Sequence, residues 1–200
     1  LALILYTLPA CSQYAEPKNY IQTGADQTEL YLPRLQGKRV AVMANQTSMI
    51  AGRHLVDTLV SLGINVNTIF SAEHGFRGNE ADGTLINDGK DRLTGLPVLS
   101  LYGKNRKPTV EQLKDIDIVV FDIQDVGARF YTFISSMHYL MEACAENNKE
   151  FLVLDRPNPN GNYTDGPILE KAYASFVGMH PVPVVHGMTV AEYAQMINGE

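Results

Sequence analysis

Ile116-Asp-Ile-Val-Val-Phe-Asp-Ile123 is followed by the polar turn Gln124-Asp-Val-Gly-Ala-Arg129 and then by Phe130, Phe133, Ile134, Met137, Leu140, Met141 and Cys144. The first run is short, apolar and β-branched, as a strand buried on both faces must be. The spacing of the second run, i, i+3, i+4, i+7, i+10, i+11 and i+14, predicts a long amphipathic helix with one inward stripe. A buried strand feeding a helix is a βα unit, and Cys144 on the stripe reads as core. Working outward, similar strand-like runs occur at Val40–Ala44, Val66–Phe70, Val98–Leu101, Phe151–Leu154 and Val182–Val185. Leu55, Val56, Leu59 and Val60 predict a helix that stops at Gly63, where a left-handed residue is least costly. Thr109 with Gln112, and Thr189 with Glu192, are spaced as capping boxes. Val190, Tyr193, Ala194 and Ile197 supply the inner face of a final helix ending near Gly199. The alternation predicts an α/β fold around a parallel sheet with flanking helices.

The 200 residues carry 16 Lys+Arg against 22 Asp+Glu, a net charge of −6, and 45% of them are apolar. That composition excludes a disordered chain, and the lack of a dense cationic cluster argues against nucleic acid as a partner. Leu1–Ala10 is apolar but too short to span a bilayer, and reads as the end of a signal peptide. Leu8-Pro9-Ala10-Cys11 resembles the lipobox of bacterial lipoproteins, with Cys11 as the lipidation site and Pro9 an unusual occupant. The expected organisation is therefore a signal remnant at 1–11, a linker at 12–31 and one domain at 32–200, outside the cytoplasm and touching a membrane only through a lipid anchor. The sequence starts without Met and closes at a helix end, so it reads as a fragment, with part of the site expected beyond Glu200.

In open parallel sheets, ligands bind beyond the carboxyl ends of the strands. Those positions are polar here: Asn45-Gln46-Thr47-Ser48, Glu73-His74-Gly75-Phe76-Arg77-Gly78, Asp122 to Arg129, Asp155-Arg156-Pro157-Asn158 and His186-Gly187-Met188-Thr189. Such a ring suits a ligand rich in hydroxyl groups. G-x-G-x-x-G, G-x-x-x-x-G-K-[ST] and G-x-S-x-G are absent, so neither a dinucleotide, a nucleoside phosphate nor a serine nucleophile is expected. Glu73, beside two glycines, suits a general acid or a nucleophile, with an ion pair to Arg77 or Arg129 as the competing reading. Asp122 is expected to face the cleft and Asp125 to fix the loop, although both could also be a catalytic pair or metal ligands. Glu73, His74, Asp122 and His186 lack any regular ligand spacing, and no metal is expected. His54 and His138 read as surface residues, and His180 lies in a loop beside Pro181.

The strings Ala72-Glu-His-Gly-Phe-Arg-Gly78, Asp122-Ile-Gln-Asp-Val-Gly-Ala-Arg-Phe-Tyr-Thr132, Asp155-Arg-Pro-Asn-Pro-Asn-Gly161 and Val185-His-Gly-Met-Thr189 with Glu192 resemble those of the NamZ-type exo-β-N-acetylmuramidases. The resemblance runs from about Gly37 to Glu200. It implies a Rossmann-like N-terminal domain whose smaller C-terminal companion is missing here. It also implies hydrolysis of the β-1,4 bond of a non-reducing terminal N-acetylmuramic acid in peptidoglycan fragments, without a cofactor. Glu73 is the implied general acid, with His74 orienting it and Asp122 as one candidate for the second role; the missing domain and the substrate's 2-acetamido group are the others. Arg77, Arg129 and Arg156 are implied partners of the lactyl carboxylate, since guanidinium forks suit carboxylates. Asn45, Gln46 and Asn158 would fix hydroxyl and acetamido groups, with Asp125, Tyr131, Asp155 and His186 as further sugar-binding residues. A periplasmic glycan-binding protein and a metal-dependent hydrolase remain the rival readings.

Overall fold

A computed structural model of the chain describes residues 21–78 and 88–199. Its sheet holds β1 (Val40–Ala44), β2 (Val66–Ser71), β3 (Pro97–Ser100), β4 (Ile118–Asp122) and β5 (Glu150–Val153), with Gly89–Lys90 on the outer edge of β3. The five strands run parallel in the order 3-2-1-4-5, and only the Gly89–Lys90 edge is antiparallel. This is the doubly wound order of the Rossmann class, with the chain reversing its direction of travel between β1 and β4.

The central strands β1 and β4 are buried along their whole length. Their residues alternate between two cores, as a period of two requires. Val40, Val42, Ala44, Ile118 and Val120 pack toward α1 (Thr28–Leu35) and α2 (Leu55–Ser61). Ala41, Met43, Val119 and Phe121 pack on the other face with α3 (Val110–Leu113), α4 (Phe133–Glu146) and α5 (Val190–Gly199). Cys144 is buried in that second core, and burial pushes its thiol up to about 12. The Thr109–Gln112 and Thr189–Glu192 capping boxes are both formed, and Gly63 closes α2 with φ +77°.

Three expectations give way. Val182–Val185 is no strand of the sheet; Val185 makes only isolated bridges to Asp165 and Ala128. Pro181 and Pro183 flank and interrupt this run, and a proline cannot donate to a ladder. The long helix begins at Phe133 rather than Phe130, because Phe130 and Tyr131 sit in a preceding turn closed by Tyr131 N–H donating to Ala128 O at 2.9 Å. The linker expected up to residue 31 is folded from Thr23 onward. Thr23 and Asp26 cap a short 3-10 turn, Gly24 N–H donates to Asp155 O at 2.6 Å, and Ala25 and Tyr31 are buried. A side chain on Gly24 would place its Cβ 2.4 Å from Asp155 N, so that docking requires glycine. Cys11 and the apolar run before it lie outside the described residues.

Candidate active site

The crevice between the carboxyl ends of β1 and β4 is filled by the protein itself. Asp122 is 0% exposed, and Arg156 grips it with Nε at 2.6 Å from Oδ1 and Nη2 at 2.9 Å from Oδ2. Burial pushes the Asp122 carboxyl up, and the guanidinium fork opposes that shift. Ser48 Oγ donates to the Asp122 carbonyl, and Arg156 Nη2 reaches Met49 O at 3.4 Å. Asn45, also buried, accepts from Thr47 N at 2.9 Å and Thr47 Oγ1 at 2.6 Å through Oδ1. His54 is a core residue rather than a surface one: Nδ1 caps α2 by accepting from Val56 N at 3.2 Å, Nε2 lies 3.0 Å from Asn45 O, and burial holds the imidazole below its usual value. Asp122 therefore does not face a cleft, and neither Arg156 nor Asn45 is presented to a ligand.

The open hollow lies one strand over, at the end of β2. It measures about 430 Å³ and is lined by Gln46, Glu73, His74 and the run 130–133. Glu73 Oε1 accepts from Tyr102 Oη at 2.8 Å, and Oε2 lies 3.4 Å from Thr132 Oγ1. His74 adopts φ +68°, a left-handed backbone that is costly for a residue with a Cβ, and Gly75 follows at φ +75°. Strain of this kind persists where the surroundings dictate it. Here it turns the chain sharply just after the strand, so that Glu73 and His74 both reach the hollow.

Arg77 does not pair with Glu73. Its guanidinium donates to Asp91 Oδ1 and Oδ2 at 2.8 and 2.9 Å, and to Asp57 Oδ1 and Oδ2 at 2.8 and 3.1 Å. Arg129 donates to Pro167 O at 2.8 Å and to Val182 O. Arg77 is fully engaged by two carboxylates, whereas Arg129 is tied to loop carbonyls through Nη1 alone, and among the described residues Glu73 has no cationic partner. Arg77 instead anchors the Glu73 loop to α2 and to the turn before β3.

The remaining polar residues expected at the site mostly hold loops. Asp125 Oδ2 accepts from Gly127 N at 2.7 Å and lies 3.4 Å from His186 Nε2. That approach lacks hydrogen-bond geometry, and Asp125 Oδ1 and His186 Nε2 are both buried without a partner. Asn158 Nδ2 donates to Met188 O at 2.8 Å, while its Oδ1 accepts from Asn160 N at 2.8 Å. Asp155 Oδ1 accepts from Ala191 N at 2.9 Å, at the start of α5. Gln46 and Tyr131 alone of the expected sugar-binding residues line the hollow with Glu73. His138, expected at the surface, is half-buried, and its Nδ1 lies 3.0 Å from Nε2 of the buried His180. Arg53, which no motif marked, is exposed on a neighbouring hollow of about 350 Å³ that shares Gln46 with the first. Only the fold could show its place, since it lies on the two-residue ribbon Arg53–His54 paired with Met49–Ile50.

A family model described as exo-beta-N-acetylmuramidase NamZ, N-terminal, matches residues 40–200. The chain is 47% identical over 205 residues to the peptidoglycan beta-N-acetylmuramidase NamZ of Bacillus subtilis strain 168, covering 97% of this chain and 49% of that protein. Crystal structures of two DUF1343 family proteins from Bacteroides fragilis NCTC 9343 superpose with TM-scores of 0.79 and 0.82, at 51% and 45% identity. They cover 88% and 89% of this chain and 46% of each relative. The chain thus spans about half the length of the relatives it matches.

Proposed function

Given that the chain belongs to the NamZ exo-β-N-acetylmuramidase family, we propose that it forms the acid-bearing half of an enzyme that cleaves the β-1,4 bond of a non-reducing terminal N-acetylmuramic acid in peptidoglycan fragments. The observation that carries this reading is Glu73 at the carboxyl end of β2, in the open hollow, held by Tyr102 and lacking a cation among the described residues. A carboxyl group so placed can hand its proton to the glycosidic oxygen as the bond to the muramyl anomeric carbon breaks. The burial of Asp122 against Arg156 argues against it in the second role. On this reading the substrate's own 2-acetamido group, or a group from the other half of the protein, stabilises the anomeric carbon until water adds. His74 turns with Glu73 into the hollow, where it lies beside the acid as a second polar group for the substrate.

Peptidoglycan lies outside the cytoplasmic membrane, and the lipobox-like Leu8–Cys11 supports export and a lipid anchor at Cys11. A Cys11→Ala variant that remains in the membrane fraction would overturn the anchor. Replacement of Glu73 by Gln in the full-length protein keeps shape but removes the titratable proton. It is expected to cut release of N-acetylmuramic acid from defined muropeptides by roughly 10²–10⁴-fold. Near-normal release, followed by mass spectrometry, would overturn the assignment of Glu73.

A further inference from the structure

Phe130 is 54% exposed and Tyr131 46% exposed, side by side on the wall of the hollow that holds Glu73. Exposed single apolar residues are common and need no explanation, and this chain has others, such as Leu93 and Val110. The aromatic pair differs in three respects. Its rings are in contact, with centroids 5.6 Å apart and planes inclined by 39°, so they form one continuous surface rather than two scattered side chains. It lines the hollow of the proposed acid rather than an open face. Its backbone is fixed on both sides: Arg129 N–H donates to Val184 O at 2.8 Å, Tyr131 N–H to Ala128 O at 2.9 Å, and Ala128 bridges Val185. Thr132, next in the chain, reaches Glu73 Oε2 at 3.4 Å, so the turn that presents the rings is also tied to the carboxyl group.

A rigid aromatic surface with a carboxyl group at its edge matches a pyranose ring. The ring's C–H face is apolar and can lie on the aromatics, releasing water from both, while its oxygens stay at the rim. A loop that exposed two aromatics without a ligand would leave that surface in water. We propose that Phe130 and Tyr131 form a stacking platform for one sugar ring of the glycan, holding it so that the glycosidic oxygen lies at Glu73. This rests on the proposed hydrolase reading and adds to it a residue, Phe130, that the spacing of the sequence had assigned to the buried stripe of a helix.

The test uses the full-length protein and measures binding separately from turnover. In a Glu73→Gln background, calorimetry is run with N-acetylmuramic acid and with the disaccharide in which it is β-1,4-linked to N-acetylglucosamine. Phe130→Ala and Tyr131→Ala are each expected to weaken binding roughly tenfold, with unfolding temperatures unchanged. Phe130→Leu should remain weak, whereas Phe130→Tyr should recover binding, since shape and π surface rather than bulk are required. Loss for both ligands places the platform under the muramyl ring, and loss for the disaccharide alone places it under the leaving sugar; either supports the proposal. Unchanged affinity in both alanine variants overturns it, as does a Leu variant that binds like wild type. Weakened binding that tracks a fall in unfolding temperature also overturns it, by marking the rings as a contact with the other half of the protein. If Glu73→Gln still cleaves the disaccharide, the acid assignment fails on its own. The platform is then read from kcat/KM, which the alanine variants should lower roughly tenfold.

Discussion

Tyr102 donates its phenolic hydrogen to Glu73 Oε1 at 2.8 Å, linking the loop after β3 to the loop after β2 across 29 positions of sequence. It fixes the direction in which the carboxyl group points, since among the described residues the second oxygen is held only by the longer contact to Thr132. A net hydrogen bond of this kind contributes about 0.5–1.5 kcal/mol. Tyr102→Phe releases Glu73 Oε1, so kcat should fall in the full-length enzyme with KM nearly unchanged, while stability falls by no more than that amount. Steady-state kinetics on a muropeptide would check this; an effect confined to KM would assign Tyr102 to substrate binding instead.

The Asp122–Arg156 fork predicts a different phenotype. It joins the end of β4 to the segment after β5, and both side chains are almost wholly buried. Removing one member leaves the other charge buried and unpaired, at a cost of about 3–5 kcal/mol. Asp122→Ala should thus unfold at a much lower urea concentration than wild type, whereas the double change Asp122→Leu with Arg156→Met should regain much of the loss. Any Asp122→Asn protein that folds at low temperature should still turn over substrate. A folded, stable and inactive Asp122→Asn protein would return this carboxylate to the chemistry.

The contrast between Glu73 and Asp122 shows what local pattern conveys. Both follow apolar strand runs, and the end of such a run marks the sheet edge where ligands bind. The five parallel strands, both capping boxes and the position of Glu73 just beyond a strand end are legible on that basis, whereas the Val182–Val185 run misleads. Which way each carboxylate turns depends on partners far along the chain: Arg156 for Asp122, Tyr102 for Glu73, and Asp57 and Asp91 for Arg77. No spacing rule encodes such pairs, so Arg77 and Arg156, expected to face the substrate, are held by carboxylates of the fold instead. The N-terminal segment was missed for a related reason. Its helix is short, contains Pro33, and turns only Tyr31 and Leu35 fully inward, so it shows little periodicity although both side chains are core.

Arg77 makes the Glu73 loop dependent on acidity. Asp91 accepts from Arg77 Nε and Nη2 and also from Thr94 N and Oγ1 at 2.9 and 2.7 Å, and the guanidinium beside it holds its carboxyl well below the usual carboxylate range. In the unfolded chain that carboxyl would titrate near its ordinary value of about 3.9. A group with a depressed folded pKa stabilises the native state fully above the unfolded value and loses that contribution as pH falls toward the folded one. Wild-type stability should therefore be flat in this respect near neutrality and decline below about pH 4. Asp91→Asn should be less stable at pH 7 by about 1.5–3 kcal/mol, the usual worth of hydrogen bonds to a charged group. The gap between the two should then narrow as pH is lowered, because protonation imposes on the wild type what the substitution has already done. Urea midpoints measured from pH 7 to pH 3 would show converging curves; parallel curves would mean that the Arg77–Asp91 contact adds nothing to the anchoring of the Glu73 loop.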